Sequence, residues 1–173
     1  MGRAKSLARL GVLLLGASAL ASCHKKSLLN DANNAPIHGS NLLVRAASNE
    51  EMCIDAENSR AELHPLVELL HCQGRENQRW TFADQNDGSS EILGIGGLCL
   101  DVQGQHSSSG TPLQLYTCAG TANQKFRHNI DGRLQEVQTG KCLTAGEFVE
   151  KSPIFIDDCS DKKPGQVWIV TPR

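Results

Sequence analysis

"CLDVQGQHSSSGTPLQLYTC", residues 99–118, begins and ends with cysteine, and the chain contains two similar stretches at 53–72 and 142–159. The terminal cysteines of these stretches lie 19, 19 and 17 positions apart. Each stretch is followed by a Gln-x-aromatic triplet, and the three triplets are Gln78-Arg79-Trp80, Gln124-Lys125-Phe126 and Gln166-Val167-Trp168. Self-similarity at such a period predicts a repeat architecture, in which no single unit can bury its apolar face alone.

The cysteine spacing also predicts the disulfides. Apart from Cys23, the chain has six cysteines, and an even set in an exported protein implies disulfide bonds. The repeat pattern selects the pairs Cys53–Cys72, Cys99–Cys118 and Cys142–Cys159. Each bond would close the loop of its own repeat and contribute about 3 kcal/mol to stability in the chain-entropy picture.

Each repeat contains four short segments rich in β-branched and aliphatic residues. Turn signals such as Asp87-Gly88 and Asp131-Gly132 separate the segments. No run has the length and 3.6-residue periodicity of a long helix, and "EILGIGG" at 91–97 is expected to be one of the strands. The chain is therefore predicted to be all-β, with about twelve short strands that close a barrel around a threefold axis.

The N-terminus predicts export and lipid attachment. Residues 1–22 form a predicted lipoprotein signal peptide, because a positive leader precedes the apolar run "LGVLLLGASAL". That run is too short to span a bilayer as a helix, which needs about 20 apolar residues. The following "LASC" resembles the bacterial lipobox, in which the cysteine, here Cys23, is lipidated and becomes the new N-terminus. The alternative is an ordinary secretory signal followed by a free cysteine.

The mature chain is expected to be held in the bacterial cell envelope. Residues 23–40 would be the lipidated cysteine and a flexible tether. Palmitate-type chains on Cys23 would give a stable anchor, since stable attachment takes more than one chain. His24 stands where an aspartate would resemble an inner-membrane retention signal, which favours the outer membrane, on its periplasmic or outward side.

Charge argues against a nucleic-acid partner. Without residues 1–22 the chain has 14 Lys+Arg against 19 Asp+Glu, a formal net charge of −5. It also has no basic run, so nucleic acid is not an expected partner. Oligomeric state is not predicted from the sequence.

The three triplets, the paired cysteines and the "CLDV" motif together resemble the ricin B-type lectins and the related family-13 carbohydrate-binding modules. The resemblance implies a β-trefoil over 41–173, with repeats at about 41–86, 87–131 and 132–173. It also implies that the triplet aromatics Trp80, Phe126 and Trp168 pack in the core, and that the triplet glutamines make structural hydrogen bonds.

The same resemblance places a sugar site in the second repeat. Family pockets use an acid two residues after the first cysteine, an aromatic two residues before the second, and the asparagine before the triplet. A carboxylate can accept bonds from sugar hydroxyls, and an aromatic face covers the apolar patch of a pyranose. The predicted carbohydrate-binding residues, with Asp101 and Tyr116 facing one another across a shallow pocket, are Asp101, Gln114, Tyr116, Asn123 and Gln124. The alternative is that Asp101 caps a turn and Tyr116 is a half-exposed packing residue.

The first repeat departs from this pattern at two positions. It keeps Asp55, Asn77 and Gln78 as a possible weak second site. However, Glu68 stands opposite the position of Gln114, and Leu70 replaces the aromatic platform.

The third repeat departs further, and it is expected to bind nothing. Thr144 replaces the acid, Asp157 stands at the platform position, and Gly165 replaces the asparagine.

An enzyme is not expected. Asp157 and Asp158 are adjacent in a strand and so point to opposite faces. His64, His71 and Cys72 could suggest a metal, but Cys72 is assigned to a disulfide, so neither metal nor cofactor is expected. The predicted function is non-catalytic binding of galactose-type or related sugars or polysaccharide by a membrane-anchored lectin. The alternative is a non-enzymatic scaffold, or the adhesive subunit of a toxin-like assembly.

Overall fold

The structure is a computed structural model that describes residues 37–57 and 64–173. The predicted signal peptide, the lipidation site Cys23 and most of the tether lie outside the described residues. The described residues contain short 3-10 turns and twelve strands. The strands are β1 Gly39–Ala46, β2 Asn49–Ala56, β3 Val67–His71, β4 Trp80–Asp84, β5 Ser90–Leu93, β6 Cys99–Val102, β7 Thr111–Tyr116, β8 Lys125–His128, β9 Leu134–Glu136, β10 Cys142–Ala145, β11 Ile154–Asp157 and β12 Trp168–Pro172.

The strands form a closed barrel with a hairpin on each repeat. The outer strands of the repeats pair in the order β1–β4–β5–β8–β9, and β12 returns to pair with β1. A bridge between Arg133 and Val167 joins the β9 and β12 regions. The hairpins β2–β3, β6–β7 and β10–β11 cover one end of this ring. The predicted threefold all-β architecture is therefore confirmed, and closure leaves the barrel without an open edge.

The triplet aromatics fill the centre of the molecule. Trp80, Phe126 and Trp168 are at most 1% exposed. The indole Nε1 of Trp80 donates to the carbonyl oxygen of Ile54 at 3.1 Å, and that of Trp168 donates to Leu143 at 3.1 Å. These bonds satisfy the two indole N–H groups, so both rings are buried without an unpaired donor.

The three predicted disulfides are confirmed. Cys53–Cys72, Cys99–Cys118 and Cys142–Cys159 are all bonded, with Cα–Cα distances of 5.0, 5.0 and 5.1 Å. In each repeat the bond joins the second strand to the chain just beyond the third strand. The hairpin between these strands is therefore fixed at its open end.

One predicted strand is shorter than expected. The second-repeat segment 91–97 leaves the strand after Leu93, and Ile95–Gly97 forms a 3-10 turn. Gly96 and Gly97 adopt φ values of 70° and 71°, which place them in the left-handed region. Glycine takes that conformation readily, whereas regular strand residues have a negative φ. In the two described ranges, no helix has the length and apolar character needed to cross a membrane.

Candidate functional site

Asp101 on β6 is the centre of a hydrogen-bonded cluster. Its Oδ1 accepts a bond from Gln114 Nε2 at 3.0 Å. Its Oδ2 accepts from Asn123 Nδ2 and from Gln124 Nε2, each at 2.9 Å. The β6–β7 register sets Asp101 directly opposite Gln114, and the 3-10 turn Ala122–Gln124 brings the other two amides. The structure thus brings together four of the five residues predicted from the sequence.

Most of the acceptor capacity of Asp101 is used inside the protein. Its predicted role is to accept hydrogen bonds from sugar hydroxyls, and it lies in the lining of the depression. The side chain is 5% exposed, and three amides bind its oxygens. Since a carboxylate has about four lone-pair positions, about one remains for a ligand. Asp101 therefore holds the amide side chains of the site in place and keeps about one acceptor position for a ligand.

The amide of Asn123 is also largely used inside the protein. Its Nδ2 donates to Asp101 and to the carbonyl oxygen of Val102 at 3.4 Å, so its N–H groups are directed away from a ligand. Its Oδ1 is buried and has no hydrogen-bond partner among the described residues. The unsatisfied group is thus an acceptor that a bridging water can pair, and the equivalent Oδ1 of Asn77 in the first repeat is also unpaired.

Gln124 has a structural role that all three repeats share. Its Oε1 accepts from the backbone N–H of Ala119 at 2.8 Å, and its Nε2 donates to the carbonyl of Thr117 at 3.0 Å. Gln78 and Gln166 make equivalent bonds to the chain after their own third strands. The triplet glutamine therefore fixes the turn that carries the asparagine, which is the structural role implied by the family resemblance.

Tyr116 stands at the rim of an open depression above this cluster. The side chain is 38% exposed, one of the few large apolar side chains at the described surface. The depression has a volume of about 460 Å³. Asp101, Gln114 and Gln124 form part of its floor, and Tyr116, Thr121 and the turn Gln103–Gln105 form part of its rim. The alternation of β7 directs Gln114 and Tyr116 to the same side, as the sequence pattern predicted.

His64 also lines the depression, and sequence reasoning considered it only as a metal ligand. It belongs to the first repeat, in the segment that runs beside β7. The backbone N–H of His64 donates to Leu115 at 3.0 Å, and the imidazole centroid lies 4.6 Å from that of Tyr116 at an angle of 57°. A contact between repeats leaves no signal in the spacing within one repeat, which is why it was missed.

The first repeat forms a smaller pocket, whose lining includes two carboxylates and Arg75. Its depression has a volume of about 100 Å³ and contains Asp55, which accepts from Asn77 Nδ2 at 2.6 Å. Glu68 lies opposite Asp55 in the β2–β3 register, where the second repeat has an amide donor. Burial raises the pKa of Asp55, and burial together with the nearby Glu57 and Asp55 raises the pKa of Glu68. Half-buried Leu70 stands at the position of the exposed Tyr116.

In the third repeat, the side chains at the site positions are bonded to other groups of the protein. Thr144 Oγ1 donates to the carbonyl of Cys142 at 2.8 Å and accepts from Gln166 Nε2 at 3.0 Å. Asp157 is held by Lys163 Nζ at 2.6 Å. Gly165 lies so close to the carbonyl oxygen of Ala145 that a Cβ atom would overlap it. No side chain fits at the position where the other repeats carry asparagine.

The described residues offer no metal centre. Nowhere in 37–57 or 64–173 do three His, Cys, Asp or Glu side chains converge as metal ligands would. Cys72, which the sequence placed near two histidines, is bound to Cys53. Asp158 pairs with Lys141, and Asp157 pairs with Lys163, so the two adjacent acids are each engaged with a separate lysine.

A family model and several known proteins match the sequence of this chain. The family model of the ricin-type β-trefoil lectin domain matches residues 40–168. The chain is 32% identical over 108 residues to Nigrin b of Sambucus nigra, covering 62% of this chain and 19% of that protein. It is 29% identical over 110 residues to the probable lipoprotein EnvE of Salmonella typhimurium, covering 62% of this chain and 58% of EnvE. The match therefore spans less than two thirds of either relative.

A solved structure supports the fold independently of sequence. The designed threefold-symmetric protein ThreeFoil superposes with a TM-score of 0.72 at 23% identity. The superposition covers 77% of this chain and 99% of ThreeFoil. Identity at this level establishes the β-trefoil fold alone.

Proposed function

Because the chain belongs to the family of ricin-type β-trefoil lectin domains, we propose that it binds carbohydrate without catalysis, with its main site in the second repeat. The observation that carries this proposal is that the carboxylate of Asp101, bound by three amides, and the exposed ring of Tyr116 line the same open depression. The first repeat has an aliphatic side chain in place of the ring, and the third has Lys163 bound to the acid at the ring's position.

The chemistry of the depression suits a neutral sugar of galactose type. Tyr116 offers a ring face for the C–H patch of a pyranose. The free lone-pair position of Asp101, which lines the depression, is an acceptor for a sugar hydroxyl. Gln103, Gln105 and Thr121 on the rim can donate and accept further bonds.

A single open site of this kind is expected to bind weakly. A dissociation constant between about 1 mM and tens of micromolar corresponds to about −4 to −6 kcal/mol. Display of many copies on a membrane would raise the effective affinity for a polysaccharide that carries many sugar units. Weak single-site binding and strong surface binding are thus compatible.

The proposal includes a lipid anchor at Cys23 in the cell envelope, with the outer membrane as the expected location. It is supported by the lipobox-like sequence "LASC" and by the similarity to a probable lipoprotein. The test is metabolic labelling with radioactive palmitate and Triton X-114 phase partition of the full chain and of Cys23→Ser. We expect label and detergent-phase partition from the parent alone. Equal labelling of both chains would exclude this anchor.

Sugar binding is tested by titration calorimetry on the full chain, in a detergent without a sugar headgroup so that the detergent does not compete. The ligands are galactose, lactose and xylose oligomers. Tyr116→Ala is expected to weaken binding at least about tenfold, since it removes the aromatic face. Leu70→Ala is the matched control, because Leu70 is the equivalent residue in the first repeat. It is expected to leave the affinity unchanged.

Two results would contradict the proposal. An equal loss of sugar affinity in Tyr116→Ala and Leu70→Ala would mean that binding does not depend specifically on the second-repeat site. The absence of saturable binding to every sugar would favour the alternative function, a scaffold or the adhesive subunit of a toxin-like assembly.

A further inference from the structure

The three repeats share a contact that places one residue of a neighbouring repeat beside each site. The chain just before each third strand runs along the third strand of another repeat. There the backbone N–H of His64 donates to Leu115 at 3.0 Å. The equivalent N–H of Gly110 donates to Ile156, and that of Lys151 donates to Leu69, both at 2.8 Å. Each acceptor residue directly precedes the platform position of its own repeat.

These neighbouring residues also share a backbone conformation. The φ angles are 71° for His64, 87° for Gly110 and 63° for Lys151, all in the left-handed region. Glycine adopts this region without a steric penalty, and Gly110 shows that the fold accepts glycine at this position. The backbone conformation at position 64 therefore does not require histidine, and the presence of histidine there is consistent with a role in the site.

His64 alone among the three places an aromatic ring against an aromatic platform. Its imidazole lies 4.6 Å from the Tyr116 ring and tilts 57° from it, so the two rings form a corner rather than a stack. Both rings line the depression, and His64 does so from the first repeat. An imidazole presents a donor or an acceptor nitrogen as well as an apolar face.

The size of the depression indicates more than one sugar unit. Its volume of about 460 Å³ falls within the range of roughly 300–1,000 Å³ that holds drug-sized ligands, which are larger than one hexose. The floor residues Asp101, Gln114 and Gln124 are buried, whereas His64 and the turn Gln103–Gln105 are exposed. A first sugar on the floor and Tyr116 would leave its neighbour at the rim.

From this placement we infer that His64 is a specificity-determining residue of the second-repeat site, which contacts the second sugar of a neutral disaccharide. The inference rests on the proposed sugar-binding function. The lining contains no lysine or arginine, and the carboxylate of Asp101 is already bound by three amides. The site therefore lacks a strong cationic partner for an acidic sugar, which favours a neutral ligand.

The test compares two ligands on the full chain, methyl β-galactoside and lactose, by titration calorimetry. The parent is expected to prefer lactose by about tenfold, the size of one aromatic or hydrogen-bonding contact. In His64→Gly this preference should fall to near unity while binding of the monosaccharide persists. Lys151→Gly makes the same backbone change beside the first repeat and should leave the preference intact.

The outcomes separate this inference from the proposed function. If the parent binds both sugars and His64→Gly keeps the full preference for lactose, the role of His64 is overturned and the sugar site stands. If the parent binds neither sugar, both are overturned. Near-ultraviolet circular dichroism of each variant checks that the fold is retained, and glycine suits the left-handed backbone at both positions.

Discussion

The same substitution at two equivalent aspartates is expected to destabilise the chain at Asp101 but not at Asp55. Asp101→Asn removes the charge from a buried carboxylate that accepts three side-chain amide bonds. The new amide group has one oxygen, which can keep its bonds to Asn123 and Gln124. Its NH₂ group then faces the Nε2 of Gln114, and that bond is lost or inverted.

The magnitude follows from the hydrogen bonds. A bond to a charged group contributes about 1.5–3 kcal/mol and a neutral one about 1 kcal/mol. Two bonds that lose their charge and one that is disrupted give a loss of about 2.5–7 kcal/mol in the free energy of unfolding. Asp101→Ala would lose at least as much, so a loss of sugar binding in either variant cannot be separated from damage to the fold.

Asp55→Asn is the matched control in the first repeat. Burial raises the pKa of Asp55, although hydrogen bonds from Gln78 and Asn77 and the charge of Arg75 oppose the shift, so the ionised form is disfavoured in the folded state. An asparagine can still accept from Asn77, and it carries no charge beside Glu68. Asp55→Asn is therefore expected to leave stability unchanged or to raise it at pH 7. The gain should shrink as the pH falls through the raised pKa toward 3.8, because the folded parent then takes up the proton itself.

The assay is urea unfolding at pH 7 with the disulfides intact, followed by tryptophan fluorescence. Trp80 and Trp168 are both buried in the core, so the signal reports on the packed interior. A similar loss in both variants would refute the reasoning, because it would mean that the third amide donor and the neighbouring glutamate do not matter. A stable Asp101→Asn would refute the organising role of Asp101.

Two further predictions concern stability. Gly165→Ala should destabilise the chain by about 3 kcal/mol or more in urea unfolding, because the new Cβ would overlap the carbonyl oxygen of Ala145. Gly146→Ala is the control. Its Cβ meets only the side-chain ring of Phe155, so it should cost about 1 kcal/mol or less. Burial lowers the pKa of His128, with Asp131 opposing the shift, so stability should be lost as the pH falls through about 6.5, where the unfolded chain binds the proton first. His128→Gln should remove that loss, and an unchanged difference between the urea midpoints at pH 7 and pH 5 would contradict it.

The features that could be predicted from the sequence are local to one repeat. The disulfide pairs follow from cysteine spacing, and the twelve strands follow from short apolar segments bounded by turn residues. The burial of the triplet aromatics follows from their recurrence in register. Strand alternation was also enough to set Gln114 and Tyr116 on one side of β7.

The features that could not be predicted depend on contacts between segments or on side-chain geometry. His64 reaches the second-repeat depression from the first repeat, and no spacing within a repeat encodes that approach. The burial of Asp101 depends on three amides that arrive from two different elements. The sequence shows Gly165 in place of the asparagine, but not that the carbonyl oxygen of Ala145 lies too close for any side chain there.

The location of the sugar site is tested most directly by a ¹H–¹⁵N NMR titration of the full chain with lactose. The largest shift changes are expected at Tyr116, Gly104, Thr121 and the side-chain amide of Gln114, which line or form the second-repeat depression. The signals of Leu70 and Gln73 in the first-repeat pocket should not move. Changes centred on the first-repeat pocket, or no change at millimolar lactose, would contradict a second-repeat carbohydrate site.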